Sequence, residues 1–278
     1  HSTLLLELNQ HYWLLDPVFS KRASPSQWFG PARFHDLPLE LEQVPELAGI
    51  IISHDHYDHL DKQAVRALIG KTKRFIVPLG VDAHLRRFGV PAEMITVLDW
   101  WQQTELAGLT VHATPAQHFS GRALNDKNQT LWASFVIGSS QKRLFFSGDS
   151  GYFSGFAEIG RRFGSIDVAM IETGAYDELW ADIHMQPEQS LRAHLDLQAS
   201  YLVPIHNSSF DLAMHAWYEP LERLAVAADA YQAQLVTPVF GASVDLSQLS
   251  FAPALHHAWW RALMPVQTQN QNVLQIPA

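Results

Sequence analysis

Four apolar runs along this chain are each followed, within a few residues, by histidine or aspartate. The first run, residues 50–53, leads directly into the segment 54–59, which reads HDHYDH. The other three runs, at 109–113, 143–147 and 201–205, precede the later members of the set. Because functional groups in α/β sheets gather at the edge where strands end, this pattern predicts an α/β fold that brings the four segments together.

The segment 54–59 predicts a metal site, because packing gives no reason to concentrate so many imidazoles and carboxylates in six residues. The chain has no cysteine, so disulfides, thiolate ligands and a cysteine nucleophile are excluded. Imidazole and carboxylate remain as ligands, a combination that suits zinc best and that iron or manganese also accept. Seven candidate ligands, enough for two metal ions, are His54, His56, Asp58, His59, His118, Asp149 and His206.

Strand-like and helix-like patterns alternate in two stretches of the chain, which predicts two α/β layers packed sheet to sheet with helices outside. No low-complexity linker divides the stretches, so we predict one domain over residues 1–278. The first stretch has predicted strands at 4–8, 12–15, 49–53, 74–77, 95–98 and 109–113, with helices at 62–69 and 81–88. The second has predicted strands at 131–137, 143–147, 168–171, 201–205 and 234–236, with helices at 156–163, 187–197 and 221–232.

Local features add expectations about how these elements begin and what connects them. Asp61 is predicted to cap the helix at 62–69, and Pro187 is predicted to occupy the first turn of its helix. The long loop 17–45 is rich in proline, serine and aromatic residues, which is typical of a lid or a binding loop. The polar tail after Gln267 is expected to fray or to pack loosely on the surface.

The charge balance and hydropathy pattern exclude several classes of function. The chain has 28 acidic and 19 basic residues, a net charge of −9, so general binding to nucleic acid is not expected. No apolar run reaches the roughly eighteen residues that a membrane helix needs. The chain begins at His1 rather than Met, inside a strand-like run, so we expect sequence upstream, and its location, cytoplasmic or membrane-peripheral, stays open.

The spacing H-x-H-x-D-H, followed by spaced His, Asp and His, resembles the metallo-β-lactamase superfamily of binuclear hydrolases. Further blocks, between about residues 28 and 206, resemble one branch, which contains the N-acyl-phosphatidylethanolamine-hydrolysing phospholipase D and its bacterial relatives. These blocks are 29–35 (FGPARFH), 56–61 (HYDHLD), 77–80 (VPLG), 98–101 (LDWW), 114–118 (TPAQH), 148–152 (GDSGY), 159–164 (IGRRFG) and 174–176 (GAY).

The resemblance implies an αββα sandwich of two mixed sheets, and it divides the seven candidates between two zinc ions. One ion would be held by His54, His56 and His118 and the other by Asp58, His59 and His206, with Asp149 bridging the two. A metal-bridging hydroxide would be the nucleophile, since two cations lower the pKa of water and clamp the phosphoryl oxygens under attack. His184 matches a histidine that faces the substrate, so we assign it to proton transfer or oxyanion stabilisation. The predicted catalytic residues are therefore Asp58, Asp149 and His184.

The substrate is less constrained than the metal site. The sequence blocks favour a phosphodiester, cleaved as by a phospholipase D, and a lactone or another ester is the alternative. The expected partner is thus a small-molecule or lipid ester, and a homodimer stays open. Two departures bear on this choice, because Asn207-Ser208-Ser209 replace a Trp-Gly-Thr run and Glu172 stands where the lipid-hydrolysing relative has an apolar residue. The segment 240–278 shows little likeness.

Three other hypotheses compete with hydrolysis at a metal centre. Residues 148–151, GDSG, also match the nucleophile motif of chymotrypsin-like serine proteases, which would require an all-β double barrel. The helical patterns argue against such a barrel. A di-iron oxidoreductase would prefer an acidic ligand in place of His56 and would need a flavin module. A non-catalytic metal-binding protein is the remaining alternative, although none of the seven candidate ligands is missing.

Overall fold

The computed structural model describes residues 1–139, 142–249 and 257–265. The first sheet has the order β1-β2-β3-β4-β5 and the second has the order β12-β11-β10-β9-β8-β7-β6. The strands of the first sheet are β1 (Leu4–Leu8), β2 (His11–Leu15), β3 (Leu47–Ile51), β4 (Phe75–Pro78) and β5 (Ile95–Leu98). Those of the second are β6 (Gln103–Leu106), β7 (Leu109–Thr114), β8 (Ser134–Gly138), β9 (Arg143–Phe146), β10 (Ile166–Glu172), β11 (Ala199–Ile205) and β12 (Gln234–Leu235). The helices are α1 (Lys62–Leu68), α2 (Val81–Phe88), α3 (Gly155–Phe163), α4 (Pro187–Asp196) and α5 (Glu219–Tyr231).

Side chains alternate between the two faces of each sheet, and both faces are covered. Ile51 and Phe146 point into the layer between the sheets, whereas their neighbours Ile50 and Phe145 point outward. The outward face of the first sheet packs on α1 and α2, and that of the second packs on α3, α4 and α5. The predicted αββα sandwich, with two mixed sheets face to face and helices outside, is therefore confirmed.

The prediction was wrong in assigning residues 109–113 to the first layer. This strand, β7, forms an antiparallel hairpin with β6 and pairs on its other side with β8, so it lies in the second sheet. The sequence pattern missed β6 because Gln103-Thr104-Glu105-Leu106 is a mostly polar edge strand. The strand predicted at 131–137 begins only at Ser134. The remaining predicted strands and helices are present, with bounds shifted by one or a few residues.

The helices α1 and α4 begin where the capping aspartate and the proline of the sequence predict. The Asp61 carboxylate accepts a hydrogen bond from the Gln63 N–H at 2.8 Å and caps α1, as predicted. The same carboxylate accepts the N–H groups of Phe19 and Ser20, at 3.0 and 2.8 Å, and so holds the start of the long loop. Pro187 occupies the first turn of α4, also as predicted.

The loop 17–45 lies beside the segments that follow β11 and β12. Arg33 forms an isolated antiparallel bridge with Phe210, and the His35 ring stacks on Phe240 with 4.6 Å between centroids. The prediction for the tail after Gln267 falls outside the described residues. Among the residues described, no helix combines the length and the apolar character needed to cross a membrane.

Candidate metal centre

The sheet topology explains why distant residues meet at one edge. In the second sheet, β7 and β9 are both antiparallel to β8, and β10 and β11 run parallel to β9, so all four strands end at the same edge. His118, Asp149 and His206 follow β7, β9 and β11. The segment 54–59 follows β3 of the facing sheet. All seven predicted ligands are buried or half-buried at this edge, in the groups described below.

The three-histidine group consists of His54, His56 and His118. Nε2 of His54 lies 3.0 Å from Nδ1 of His56, and Nε2 of His118 lies 3.2 Å from the same atom. The far nitrogen of His118, Nδ1, donates to the Ile183 carbonyl at 3.0 Å, so its Nε2 presents a lone pair. Burial, as the first cause, lowers the pKa of all three imidazoles. Neutral imidazole nitrogens that converge in this way cannot all satisfy one another, which fits a bound cation.

The mixed group consists of Asp58, His59, Asp149 and His206. Nε2 of His206 lies 3.0 Å from both Asp58 Oδ2 and Asp149 Oδ2, and Nε2 of His59 lies 3.1 Å from Asp149 Oδ1. His59 Nε2 and Asp149 Oδ1 are buried and have no hydrogen-bond partner within the described part of the chain. Two buried polar atoms without hydrogen-bond partners, 3.1 Å apart, are placed as two ligands of one metal ion would be.

Electrostatics in the mixed group favour positive charge. Burial lowers the pKa of His59, but the carboxylates of Asp149, Asp58 and Asp16 outweigh it and raise this pKa well above its usual value. The pKa of His206 is also raised, since Asp149 and Asp58 outweigh burial. For Asp149 the balance is reversed, because burial raises its pKa and the neighbours His206 and His59 bring it well below the usual range. The group therefore has ionised carboxylates and attracts cations.

Asp149 faces both groups. Its Oδ2 lies 3.9 Å from Nε2 of both His54 and His118, while the same carboxylate contacts His59 and His206. Gly148 supports this position because its φ is +56° and a Cβ there would lie 2.6 Å from the Ser53 side chain. The carboxylate is thus placed between the two groups.

Sequence reasoning missed Asp16, which supports both groups from behind. It directly follows β2 and is completely buried. Its Oδ2 accepts hydrogen bonds from His59 Nδ1 and Ser53 Oγ, each at 2.6 Å, and its Oδ1 accepts the Ser53 N–H at 2.7 Å. Because the Ser53 hydroxyl donates to Asp16, it accepts from Nδ1 of His54 at 2.9 Å. The rule that selected the other ligands, a polar residue at the end of a strand, would also have selected Asp16.

His184 is half-buried and lies beside both groups. Its ring centroid is 5.2 Å from that of His118 and 5.3 Å from that of His206. Its Nδ1 is hydrogen-bonded to Oε1 of Glu172, the last residue of β10. Burial, as the first cause, lowers the pKa of His184 to about 4, so its ring is neutral near neutral pH. The same cause, followed by Asp149, raises the pKa of Glu172 well above its usual range.

Comparison with known protein families decides the assignment. A family model described as the beta-lactamase superfamily domain matches residues 11–207. The chain belongs to the metallo-β-lactamase superfamily. Among the solved structures, a metallo hydrolase from the archaeon Ignicoccus hospitalis has a TM-score of 0.66 at 21% identity, over 88% of this chain and 94% of the other. Family and fold identify this superfamily member as a metal-dependent hydrolase.

Two sequence relatives are more similar. An uncharacterized protein of Mycobacterium tuberculosis is 46% identical over 94% of this chain and 70% of its own length. A Caenorhabditis elegans protein named N-acyl-phosphatidylethanolamine-hydrolyzing phospholipase D 1 is 32% identical over 83% of this chain and 68% of its own length. The resemblance to this branch, expected from the sequence blocks, is confirmed.

The fold excludes the serine-protease hypothesis. The chain forms an αββα sandwich rather than a double β-barrel. Ser150 is fully buried, and its hydroxyl donates to the Gly151 carbonyl at 2.7 Å and accepts the Gln117 N–H at 2.9 Å. The Ser150 hydroxyl is thus buried and hydrogen-bonded to the backbone, and it is not accessible as a nucleophile.

Proposed function

We propose that this superfamily member is a binuclear zinc phosphodiesterase of the phospholipase D type. The observation that carries the proposal is the position of the Asp149 carboxylate, which faces both groups of converging imidazoles. The three-histidine group would hold one ion and Asp58, His59 and His206 the other, with Asp149 shared. Two divalent cations in these places would lower the pKa of a water molecule between them and polarise an ester oxygen of the substrate.

The surrounding residues prepare the ligands for this role. His118 donates from Nδ1 to Ile183 O, and His59 donates from Nδ1 to Asp16, so each ring offers Nε2 as a lone pair. Such hydrogen bonds on the far nitrogen fix the tautomer and the orientation of a metal-binding histidine. Asp58 and Asp149 supply the negative charge that offsets the two cations.

His184 is suited to move a proton at the reacting ester. It is half-buried and lies beside both groups without belonging to either of the two proposed ligand sets. In phosphodiester hydrolysis the phosphorus–oxygen bond to the leaving group breaks, and the leaving oxygen must take up a proton. That proton comes from the attacking water and passes through Nε2 of His184, because a neutral ring whose Nδ1–H donates to Glu172 has its lone pair on Nε2.

A cavity beside the centre supports a substrate with an apolar part. It has a volume of about 440 Å³ and reaches His206. Its walls include Leu37 and Leu39 of the long loop and Phe240. Arg33 also lines it, and the Nε atom of this guanidinium is buried with no hydrogen-bond partner in the described part of the chain. An anion with an attached aliphatic chain matches this lining, and the relative named as a phospholipase D favours the same substrate class.

The test is a mass-spectrometric hydrolysis screen on zinc-loaded protein. Substrates are N-acylated and plain phosphatidylethanolamines together with a set of lactones. The blank is His56→Ala, and His11→Ala is the matched control because His11 is an exposed histidine of β2. We expect phosphatidic acid from the wild-type protein and from the control but none from the blank. Opening of a lactone without phospholipid turnover would instead assign the chain to the lactonase alternative.

A further inference from the structure

Glu172 is a buried acid that the two proposed ligand sets do not use. It is the last residue of β10 and has no exposed surface. An ionisable side chain in such a place is costly unless its polar atoms are paired.

Every polar atom of Glu172 has a partner. Its N–H donates to Ser147 Oγ at 2.9 Å, and its carbonyl accepts from Ser190 Oγ at 2.6 Å. In the carboxylate, Oε2 accepts the Ser150 N–H, and Oε1 is bonded to Nδ1 of His184. The backbone and one carboxylate oxygen are thus anchored, and the other oxygen is aimed at a single imidazole nitrogen.

The hydrogen bond with Glu172 determines which ring nitrogen of His184 is available to the substrate. The two nitrogens of an imidazole lie on opposite sides of the ring, so engagement of Nδ1 leaves Nε2 for the substrate. The ring is also held by its neighbours, since it stacks on His206 with 18° between planes. Oε1 of Glu172 is 3.8 Å from Nδ1 of His206, beyond hydrogen-bond range, so the carboxylate acts on His184 rather than on that ligand.

We propose that Glu172 is a positioning residue, which holds His184 so that Nε2 faces the ester. The proposal rests on the proposed function, because it takes the proton-transfer role of His184 from there. Loss of the carboxylate would free the ring to rotate and to exchange tautomers. It would therefore slow the chemical step while the metal ions stay bound.

The competing explanation is that Glu172 only supports the loop of Asp149, through the Ser150 N–H. That role would lower metal binding when Glu172 is changed and would not depend on His184. A third arrangement, with Glu172 and His184 themselves as ligands, is compatible with the grouping of Asp149, Glu172, His184 and His206 within 4.8 Å. Both alternatives predict that a change of Glu172 lowers the metal content, whereas the proposal predicts an unchanged metal content. Measurement of bound zinc therefore separates them.

The experiment compares Glu172→Leu, Glu172→Gln, His184→Gln and the Glu172→Leu/His184→Gln double variant in zinc-loaded protein. Ser190→Ala is the matched control, because it removes a bond to the Glu172 backbone and leaves the carboxylate untouched. We measure zinc per chain, kcat and KM on the substrate found in the screen, and the ¹⁵N shifts of the His184 ring, assigned by their loss in His184→Gln.

We expect zinc content and KM to be unchanged in all variants. Glu172→Leu should lower kcat about 100-fold and Glu172→Gln about 10-fold, because glutamine keeps one acceptor for Nδ1–H. The double variant should be no slower than His184→Gln alone, since both changes remove one function. The ¹⁵N shifts should show a single His184 tautomer in the wild-type protein and in Ser190→Ala, and a mixture in Glu172→Leu.

Three outcomes would overturn the inference: zinc loss in Glu172→Leu, multiplicative kcat losses in the double variant, or an unchanged His184 tautomer in Glu172→Leu. Failure of the proposed function has a different signature. If His184→Gln keeps the full kcat, proton transfer by His184 is wrong, and the ¹⁵N shifts alone then decide whether Glu172 positions the ring.

Discussion

The two groups of the candidate metal centre differ in the direction in which their surroundings shift the pKa of the histidines. In the three-histidine group, burial lowers the pKa of each imidazole and keeps the ligands neutral. In the mixed group, carboxylates raise the pKa of His59 and His206 despite burial. The first group therefore supplies lone pairs without charge, and the second supplies the negative charge. We therefore expect both groups to depend on Asp149, whose carboxylate faces them both.

The largest expected effect is the removal of that shared carboxylate. Asp149→Ala should abolish measurable hydrolysis and lower metal occupancy in both groups, because each loses a ligand and its compensating charge. His118→Ala should affect the three-histidine group and leave about one ion per chain. Zinc per chain, measured by mass spectrometry after equilibration with stoichiometric zinc, checks the contrast. Full activity of Asp149→Ala would contradict a mechanism at this centre.

A smaller loss of metal affinity is expected from changes at Asp16, which contacts His59 directly and His54 through Ser53. Asp16→Asn places an amide against donors from His59 and Ser53, so we expect metal affinity to fall about 10- to 100-fold in the mixed group. Ser53→Ala removes the acceptor for His54 and one donor to Asp16 but leaves the bond between Asp16 and His59, so the loss of metal affinity should be smaller and fall mainly on the three-histidine group. Competition titration with a chromophoric chelator measures both affinities, and equal losses would contradict the assignment.

The opposite pKa shifts predict opposite pH effects on the stability of chelator-treated protein. The pKa of His118 is lowered on folding, so as pH falls below about 6.5 the unfolded chain binds a proton that the folded chain refuses, and stability is lost. The pKa of His206 is raised, so its contribution is present below about 6.5 and is lost as pH rises through the folded value.

His118→Asn should therefore reduce the loss of stability as pH falls from 7 to 5, and His206→Asn should reduce the loss of stability as pH rises above about 6.5. Each slope changes by at most about 1.4 kcal/mol per pH unit, the value for one proton. Urea denaturation of metal-free protein at several pH values gives these slopes. Changes of the same sign in both variants would show that the two groups do not differ in charge.

The smallest effect is expected for a carboxylate near the centre but outside both groups. Asp61→Ala removes the cap of α1 and the anchor of the long loop, so unfolding free energy should fall by on the order of 1 kcal/mol with zinc content unchanged. Asp82→Ala, which removes a half-buried carboxylate paired with the exposed guanidinium of Arg86, is the control and should change the unfolding free energy by less than about 0.5 kcal/mol. Zinc loss in Asp61→Ala would extend the centre to this residue.

Much of the fold follows from local pattern. The runs at 47–51 and 75–78 are strands in which every position is buried by the facing sheet or the helices, and apolar residues fill them. The sequence pattern did not predict strand β6 because an edge strand needs few apolar residues. The sheet to which β7 belongs depends on its hairpin with β6, a pairing between neighbours that no single strand pattern specifies.

Within the site, the sequence by itself predicted the seven candidate ligands, because packing gives no reason to crowd imidazoles and carboxylates at strand ends. The tertiary structure alone decided what holds them. Asp16 and Glu172 are separated from His59 and His184 by 43 and 12 positions, and each contacts its histidine through one hydrogen bond. Such bonds depend on how two sheets bring strand ends together. The sequence pattern shows which side chains are present at the strand ends, whereas tertiary packing sets the direction in which each side chain points.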